Sequence, residues 1–242
     1  MRTTAQRAPR RRDALTSEVI AKAAVEILDA DGEDALTMRA LTVRLNTGYG
    51  AIYHHVADRS ALLAAATDQV IRGMAADLGG KGEPRAALRE IALGMFDAVV
   101  AHPWIGTQLV REPWRPALLD IYEAVSRLLL ALDVPRPALA DSASVLVNYV
   151  LGVAGQNAAN ARALAATTMD RSAFLATVAA QWAQLDPASY PLVQEAATQV
   201  REHDDREQFL TGIDVIVAGI EAVHRPSGPG DTTDRTALSP DG

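Results

Sequence analysis

The residues best suited to chemistry are concentrated between Thr37 and Arg59, where hydroxyl, phenol, imidazole and guanidinium groups lie close together in the chain. The most distinctive feature of this stretch is the adjacent pair His54 and His55, residue types that often bind metal ions. Neighbouring residues on a helix point about 100° apart, so two such imidazoles chelate one ion poorly. We therefore expect no metal here. The same groups are better suited to hydrogen-bonding the phosphates and base edges of DNA.

A second polar cluster comprises His203, Asp204, Asp205 and Glu207, and it also has the composition of a metal site. Its place between two predicted helices favours a simpler interpretation, in which Asp204 or Asp205 caps the second helix. The chain has no Ser-His-Asp ordering, phosphate loop or His-Glu-x-x-His motif. It also has no cysteine to act as a nucleophile or thiolate ligand. The sequence therefore predicts neither an enzyme nor a cofactor.

Charge is distributed unevenly along the chain. The net charge is -7, which argues against general coating of nucleic acid. Residues 1–60 nevertheless carry nine Lys/Arg against eight Asp/Glu, and residues 1–12 contain five arginines and no acidic residue. This asymmetry places any DNA contact at the N-terminus. The arginine-rich end is either a solvated tail or a flexible arm that enters a minor groove.

Helices must position these groups, because strand signals are scarce. Aromatic residues make up 5% of the chain, and the prevailing Ala and Leu favour helix. Apolar spacing predicts a helix capped by Thr16 or Ser17, a second short helix capped by Thr37, a turn at residues 47–50 and a third short helix. The predicted buried face of this unit comprises Leu36, Leu41, Leu45, Ile52 and Val56. The fold class is therefore all-α, with a helix-turn-helix at the N-terminus.

Three motifs identify the chain more narrowly. They are LTMRAL from Leu36, LNTGYGAIYHHV from Leu45 and DRSALL from Asp58. Together they resemble the DNA-binding domain of the TetR family of repressors, and the similarity is strong over residues 16–71. The segment FLTGIDVIVAGIE from Phe209 is similar to the last helix of the tetracycline-repressor-like subgroup. The departures are Thr42, Asn46 and Val56, where the family usually has other residues, and they affect local packing.

The resemblance implies a set of DNA contacts, to be expected at Thr37, Arg39, Thr47, Gly48, Tyr49, Gly50, Tyr53, His54, His55 and Arg59. Thr37, Tyr53, His55 and Arg59 match phosphate contacts in the family. Arg39 would reach a guanine edge, and Tyr49, Gly50 and His54 would face the bases. Tyr53 has an alternative role as a core aromatic residue. Gly50 offers no side chain to a base, so direct readout of the sequence would depend on few residues.

The resemblance also implies a larger helical domain that binds a ligand and forms a homodimer. A ligand pocket combines apolar walls with a few polar groups. The candidates are His102, Trp104, Gln108, Trp114, Tyr122, Asn148, Tyr149, Gln156, Asn157, Asn160 and Trp182. Each of them could instead be an ordinary core or surface residue. Apolar stripes that include Leu146 and Val150 in the long helix and Ile213 and Val217 in the last one are either a dimer interface or core within the chain. Gly212 and Gly219 would let two helices approach closely.

These expectations divide the chain into four parts: a disordered basic arm at 1–13, a helix-turn-helix domain at 14–60, a ligand-binding and dimerisation domain at 61–224 and a disordered tail at 225–242. We expect a cytoplasmic, ligand-responsive regulator, most simply a repressor released from operator DNA by a small-molecule effector. No membrane partner is expected, since the chain lacks an apolar run of about 18 residues and an N-terminal signal. The alternatives are a helical enzyme or carrier, and a DNA-binding protein that has no effector.

Overall fold

The computed structural model describes residues 15–77, 82–201 and 203–225, so the predicted basic arm and nearly all of the predicted tail lie outside the described residues. Within those ranges the chain forms α-helices and two short 3-10 turns, and it has no strand, which confirms the all-α prediction. The helices are α1 (Ser17–Asp31), α2 (Met38–Leu45), α3 (Tyr49–Tyr53), α4 (Arg59–Asp77), α5 (Pro84–Ala101), α6 (Trp104–Arg111), α7 (Pro116–Ala131), α8 (Leu139–Ala165), α9 (Arg171–Ala183), α10 (Pro191–Val200) and α11 (Asp205–His224).

Capping residues set the starts of the N-terminal helices. The Thr16 hydroxyl accepts a hydrogen bond from the Val19 amide at 3.2 Å, and Thr37 accepts one from Ala40 at 3.1 Å. Asp58 caps α4 in the same way. At the end of α2, Asn46 adopts the left-handed conformation with a φ of 47°, which asparagine tolerates better than most residues. These local signals explain why the helix boundaries follow from the sequence.

The core of the N-terminal unit agrees with the predicted apolar face. Leu36, Leu41 and Ile52 have no exposed surface, and Val56 is also buried, whereas Leu45 is only half-buried. This face packs beneath α1 and the beginning of α4. The predicted boundary at residue 60 falls in the first turn of α4, so one continuous helix joins this unit to the rest of the chain.

The larger domain is built around α5, α7, α8 and α11. Its centre is formed by aliphatic side chains together with a stacked aromatic pair, Phe96 and Phe209, whose ring centroids are 5.1 Å apart. Arg85 pairs with Glu221 and Arg89 with Asp214, which ties the outer surface of α5 to α11. Exposed pairs of this kind contribute little stability, so burial of the apolar core holds the domain together.

The apolar stripes of α8 and α11 turn out to be core within one chain. Leu146 is 4% exposed and Val217 is 5% exposed, and Ile213 is fully buried. The sequence left open whether these stripes form core within the chain or a dimer interface. They form core, because α8 and α11 pack on each other and on α5. The exposed apolar residues on these helices are different ones, Val145 on α8 and Val215 and Val223 on α11.

Among the described residues, one segment, Arg136–Ala165, is long and apolar enough to cross a membrane by length and composition. This criterion is weak, because the core helix of a soluble protein meets it too. The segment contains α8, which contacts α5, α6, α7 and α11 within the same chain. Of the apolar window in this segment, 28% is buried by the rest of the chain.

Candidate DNA interface and ligand sites

The turn and helix α3 present a short exposed surface of the type needed to enter a groove. Tyr49 is 49% exposed and Tyr53 is 54% exposed, while Ile52 between them is fully buried. The alternative that Tyr53 is a core residue is therefore wrong. Thr47 is half-buried, and Gly48, Gly50, His54 and His55 are exposed beside the two tyrosines. The buried Ile52 holds α3 on α2, so the tyrosine rings project from a rigid support.

The edges of this surface carry groups suited to phosphate. His55 lies at the end of α3, with its Nδ1 3.4 Å from the hydroxyl of Ser17 at the first turn of α1. Thr37 and Arg39 lie at the start of α2, and both line an open groove beside Arg44. Arg44 is paired with Glu26, which reduces its charge, whereas Arg39 makes no ion pair with another described residue. Arg39 is therefore the more available cation on α2.

Arg59 has a structural task in addition to its predicted phosphate contact. Its guanidinium donates hydrogen bonds to the backbone carbonyls of Glu33 and Leu36. These bonds fix the start of α4 to the loop before α2. The phosphate contact stays a prediction, and it would use the N–H groups of the guanidinium that remain free.

Three ligand candidates lie at the contact between the two units. Asp29, near the end of α1, has its Oδ1 2.7 Å from Nδ1 of His102 and accepts a 2.8 Å hydrogen bond from the indole of Trp104. Gln108, which is buried, donates to Glu33 at 3.4 Å. His102 also lines an open groove of about 550 Å³ between α1, α4 and α5. The beginning of α6 is therefore held by polar contacts to the DNA-binding unit.

A buried cation holds the other end of the α6 segment to α4. Arg115 is 5% exposed, donates to the Ala64 carbonyl at 3.2 Å and pairs with Glu112 at 2.9 Å. Asp68 of α4 approaches it to 3.8 Å, but Oδ1 of Asp68 and Nε of Arg115 remain without hydrogen bonds. Sequence reasoning missed Asp29, Asp68 and Arg115, because each is joined to its partner only by the folding of distant helices.

Tyr149 packs inside the larger domain. Its ring stacks on Phe209 with centroids 5.6 Å apart, its hydroxyl donates to the Phe209 carbonyl at 3.3 Å, and burial raises the pKa of this phenol. The ring lies over Gly212, where a Cβ would overlap the hydroxyl. The prediction that Gly212 permits approach of a partner helix is therefore corrected: it makes room for Tyr149. Gly219 faces open space among the described residues.

The other candidates are dispersed. Trp114 is 81% exposed, Asn148 and Gln156 are exposed on α8, and Trp182 is half-buried on α9. The Tyr122 hydroxyl donates to the Ala140 carbonyl at 2.8 Å. Asn157 and Asn160 both line one cleft. The fold therefore does not gather the predicted set into one pocket, and ligand contact stays a prediction for each residue.

Two spaces that a ligand could occupy are bounded by α8, and a further groove of about 330 Å³ lies between α4, α5 and α7. The first, the core cavity, has a volume of about 30 Å³ and only apolar walls, formed by Leu88, Ile91, Ala92, Met95, Leu118, Ile121, Val125, Leu146, Val147, Val150, Leu151 and Ile213. The second, the α8–α9 cleft, has a volume of about 250 Å³ and is lined by Phe96, Val99, Val100, Pro103, Asn157, Asn160, Ala161, Leu164, Arg171, Phe174, Leu175 and Asp205. The cleft therefore combines apolar walls with polar groups, whereas the cavity does not.

The acidic cluster at the start of α11 acts as a cap. The Asp204 carboxylate accepts hydrogen bonds from the Arg206 and Glu207 amides, and these bonds lower its pKa. Asp205 instead pairs with Arg171 and His203. In the part of the chain that the structure describes, no group of three or more His, Asp or Glu residues is arranged to hold a metal ion.

Comparison with known proteins agrees with this geometry. Residues 20–66 match the bacterial regulatory proteins of the tetR family, and residues 78–224 match the tetracyclin repressor-like C-terminal domain. The chain therefore belongs to the TetR family. This is a family of transcription regulators rather than enzymes, which confirms both the predicted resemblance and the expectation of a non-enzymatic protein.

Solved structures extend the similarity to most of the chain. A TetR regulator from Streptomyces coelicolor, SCO7222, is 46% identical with a TM-score of 0.78, and the match covers 87% of this chain and 100% of that one. The S. coelicolor TetR family protein ActR, in complex with (S)-DNPA, is 25% identical with a TM-score of 0.71, covering 87% and 98%. The helical arrangement after α4 is thus shared with these proteins.

Curated relatives match over a shorter length. The transcriptional repressor DrrR1 of Streptomyces coeruleorubidus is 33% identical over 143 residues, which are 58% of this chain and 53% of that protein. A transcriptional regulator of Saccharopolyspora erythraea is 29% identical over 139 residues, 57% of this chain and 59% of its own. The matched region thus spans little more than half of each relative.

Proposed function

We propose that this protein is a ligand-responsive transcriptional repressor that binds operator DNA as a homodimer and is released by a small molecule. The observation that carries the proposal is the exposed surface of α3 and the turn after it, where Tyr49, Tyr53, His54 and His55 are exposed around the buried Ile52. A short helix with exposed polar groups fits a major groove about 12 Å wide. The matched repressor DrrR1 supports repression as the mode of action.

On DNA, different residues would contact the base edges and the phosphates. Tyr49, His54 and the backbone at Thr47, Gly48 and Gly50 would face the base edges, and Arg39 would reach a guanine. The phosphate contacts would come from Thr37, Tyr53, His55 and Arg59. Phosphate contacts position the protein, whereas base contacts provide specificity. The small base-reading surface implies that Arg39 carries much of the discrimination.

Two copies are needed because successive major grooves on one side of DNA are about 34–36 Å apart. We assign the dimer surface to the exposed faces of α8 and α11. There Val145, Val215 and Val223 are between 50% and 77% exposed, and Gly152 and Gly219 leave open space in which a second backbone can approach closely. Such a four-helix interface would bury these valines and fix the spacing of the recognition helices.

The effector would act on the segment that joins the two units. ActR, with which this chain shares its helical arrangement, is known in complex with (S)-DNPA. Here, residues 102–115 contact α1 through Asp29 and α4 through Asp68. A ligand that moves this segment would change the orientation of α3 relative to its copy in the partner. Ligand and DNA would then weaken each other's binding reciprocally. The site of action of such a regulator is the cytoplasm.

The test is footprinting on the DNA upstream of the protein's own gene and its neighbours, at moderate salt. We expect a protected region with two-fold symmetry and half-sites one helical turn apart, or a multiple of one turn. Tyr53→Phe combined with His55→Ala should weaken binding to all sequences alike. Absence of symmetric protection would contradict the proposed function, and unchanged affinity of the double variant would contradict the phosphate contacts.

A further inference from the structure

We propose that the α8–α9 cleft binds a small, uncharged aromatic molecule that carries at least one hydrogen-bonding group. Binding in the cleft is a property of the larger domain alone. Its consequence for DNA affinity rests on the proposed function. The size, the walls and the polar groups of the cleft each restrict the class of molecule.

The walls favour an aromatic ligand of limited size. Two phenylalanines line the cleft: Phe96 of α5, which is 7% exposed, and Phe174 of α9, which is 37% exposed. Flat rings pack favourably against such side chains. The volume of about 250 Å³ is slightly below the range of roughly 300–1,000 Å³ for drug-sized ligands. The cleft therefore suits two fused rings better than a larger polycyclic molecule.

The polar groups of the cleft favour a ligand that forms hydrogen bonds, but they do not require the ligand to carry a charge. Asn157 and Asn160 lie one turn apart on α8, and both line the cleft. Among the described residues of α8, the side chains that donate hydrogen bonds are those of Tyr149 and Arg162. The two amides are therefore available, and each offers both donors and an acceptor.

The charged pair at the edge of the cleft is neutral overall. Arg171 lies 2.8 Å from Asp205 and donates to the His203 carbonyl at 3.1 Å. Its guanidinium is thus already compensated, and a charged ligand would lose hydration without gaining an unpaired partner. This is the reason for assigning an uncharged ligand.

One wall of the cleft is only weakly attached to the rest of the domain. Helix α9, which supplies Phe174 and Leu175, packs mainly against α10, and this pair makes few contacts with the rest of the domain. Outward movement of the α9–α10 pair would admit a ligand without disturbing the core around α5 and α11. A bound ring would then join Phe174 to Phe96.

Much of the cleft lies away from the proposed dimer surface. At about 100° per residue along α8, Ala161 is roughly 180° and Asn157 roughly 140° from Gly152, whereas Asn160 is only roughly 80° from it. A second copy on the Gly152 face would therefore leave the Asn157 and Ala161 side of the cleft accessible.

The cleft is connected directly to the DNA-binding unit by one residue. Pro103 lines the cleft, and its two neighbours in the chain, His102 and Trp104, are the residues that contact Asp29 of α1. A ligand that presses on Pro103 displaces both contacts together. This connection makes the cleft a regulatory site rather than a passive one.

The binding test is isothermal titration calorimetry of naphthol with the full-length chain. Ala161→Phe fills the cleft from an exposed helix position, and Ala180→Phe places the same ring at an exposed position of α9 that does not line the cleft. We expect saturable binding, a loss on the order of tenfold or more in Ala161→Phe, and little change in Ala180→Phe. Absence of saturable binding, or equal affinity in the two variants, would overturn the site.

The ligand class is tested by comparing naphthol with decahydronaphthol, which lacks the aromatic rings, and with naphthoate, which is charged. Both should bind more weakly than naphthol. Asn157→Leu should weaken naphthol but not naphthalene, because only naphthol can hydrogen-bond the amide. A preference for naphthoate, or equal binding of the saturated analogue, would overturn the assigned class.

The regulatory step is tested separately, by measuring operator affinity with and without naphthol. We expect naphthol to weaken operator binding of the wild type and of Ala180→Phe, but not of Ala161→Phe. Unchanged affinity in the wild type despite bound naphthol would overturn the regulatory step and leave the site intact. If no operator is bound even without naphthol, the proposed function fails, and calorimetry still decides the site.

Discussion

The DNA-binding surface and the α8–α9 cleft are built on different principles. The residues proposed to contact DNA lie within the 23 residues from Thr37 to Arg59, on α2, α3, the turns beside them and the start of α4. The cleft combines residues of α5, α8, α9 and α11, from Phe96 to Asp205. A surface built from neighbours in the chain is determined by local signals. A cleft built from distant residues depends on how whole helices pack.

The substitution with the largest expected effect removes the packing that supports α3 in the DNA-binding surface. Ile52 is fully buried beneath α3, and Ile52→Ala should lower the free energy of unfolding by about 2–5 kcal/mol, because it leaves a cavity in a small core. DNA binding should fall with it. Val43→Ala is the control, since Val43 is 74% exposed in the same unit. Chemical denaturation measures both variants, and a similar small loss in each would contradict the importance of the packing under α3.

The substitution with the next largest effect tests base recognition separately from stability. Arg39→Ala should weaken operator binding by about 1–3 kcal/mol and relax the preference at one base pair, if the arginine contacts a guanine edge. Arg44→Ala removes a neighbouring cation that already pairs with Glu26, so its effect should be smaller and independent of sequence. Binding to a set of single-base operator variants distinguishes the two. An equal loss on every operator would assign Arg39 to phosphate instead.

A smaller effect tests the connection between the two regions. Asp29→Asn keeps the size of the side chain but removes the charge that faces His102 and Trp104. We expect a loss of about 1 kcal/mol in stability, since the contact is partly exposed and weakened by solvent. The variant should still bind operator DNA, with a weaker response to ligand. Asp31→Asn, at the exposed end of α1, is the control, and an equal change in its ligand response would contradict the connection.

The smallest effect concerns the cap of α11. Hydrogen bonds from the Glu207 and Arg206 amides lower the pKa of Asp204 below its usual value. A carboxyl whose pKa is lowered by folding stabilises the protein above its unfolded pKa, and this contribution is lost as the pH falls through the folded pKa. Asp204→Ala should therefore lower the Tm slightly at neutral pH. The difference from wild type should shrink at acid pH, and a constant difference across the titration would contradict a role for the charge.

The sequence was most informative where structure is local. Thr16 and Thr37 cap their helices and Ile52 is buried, as their types and spacing predicted. Hydrogen bonds between residues three or four apart and the regular spacing of apolar positions can be recognised directly in the sequence. The motifs around Tyr49 and His55 could therefore identify the family from the chain alone.

The larger domain was less predictable. Tyr122, Tyr149 and Trp104 have the residue types of ligand contacts, yet each donates its hydrogen bond to a protein atom. Gly212 has the type of an interface residue, yet it makes room for Tyr149. Apolar stripes on α8 and α11 face the core of their own chain. Residue type indicates what a side chain can bind, but only its neighbours decide whether that capacity is already used.

The sequence by itself determined the all-helical class, the helix boundaries and the family, because these depend on short-range spacing and capping. Tertiary structure alone decided that His102 and Trp104 contact Asp29, more than 70 residues away, and that Asn157 lies opposite Phe174 in a cleft. The physical reason is that helix packing brings together side chains whose separation along the chain carries no signal. In this protein, the residues of the proposed DNA-binding surface follow from the sequence, whereas those of the proposed ligand cleft follow only from helix packing.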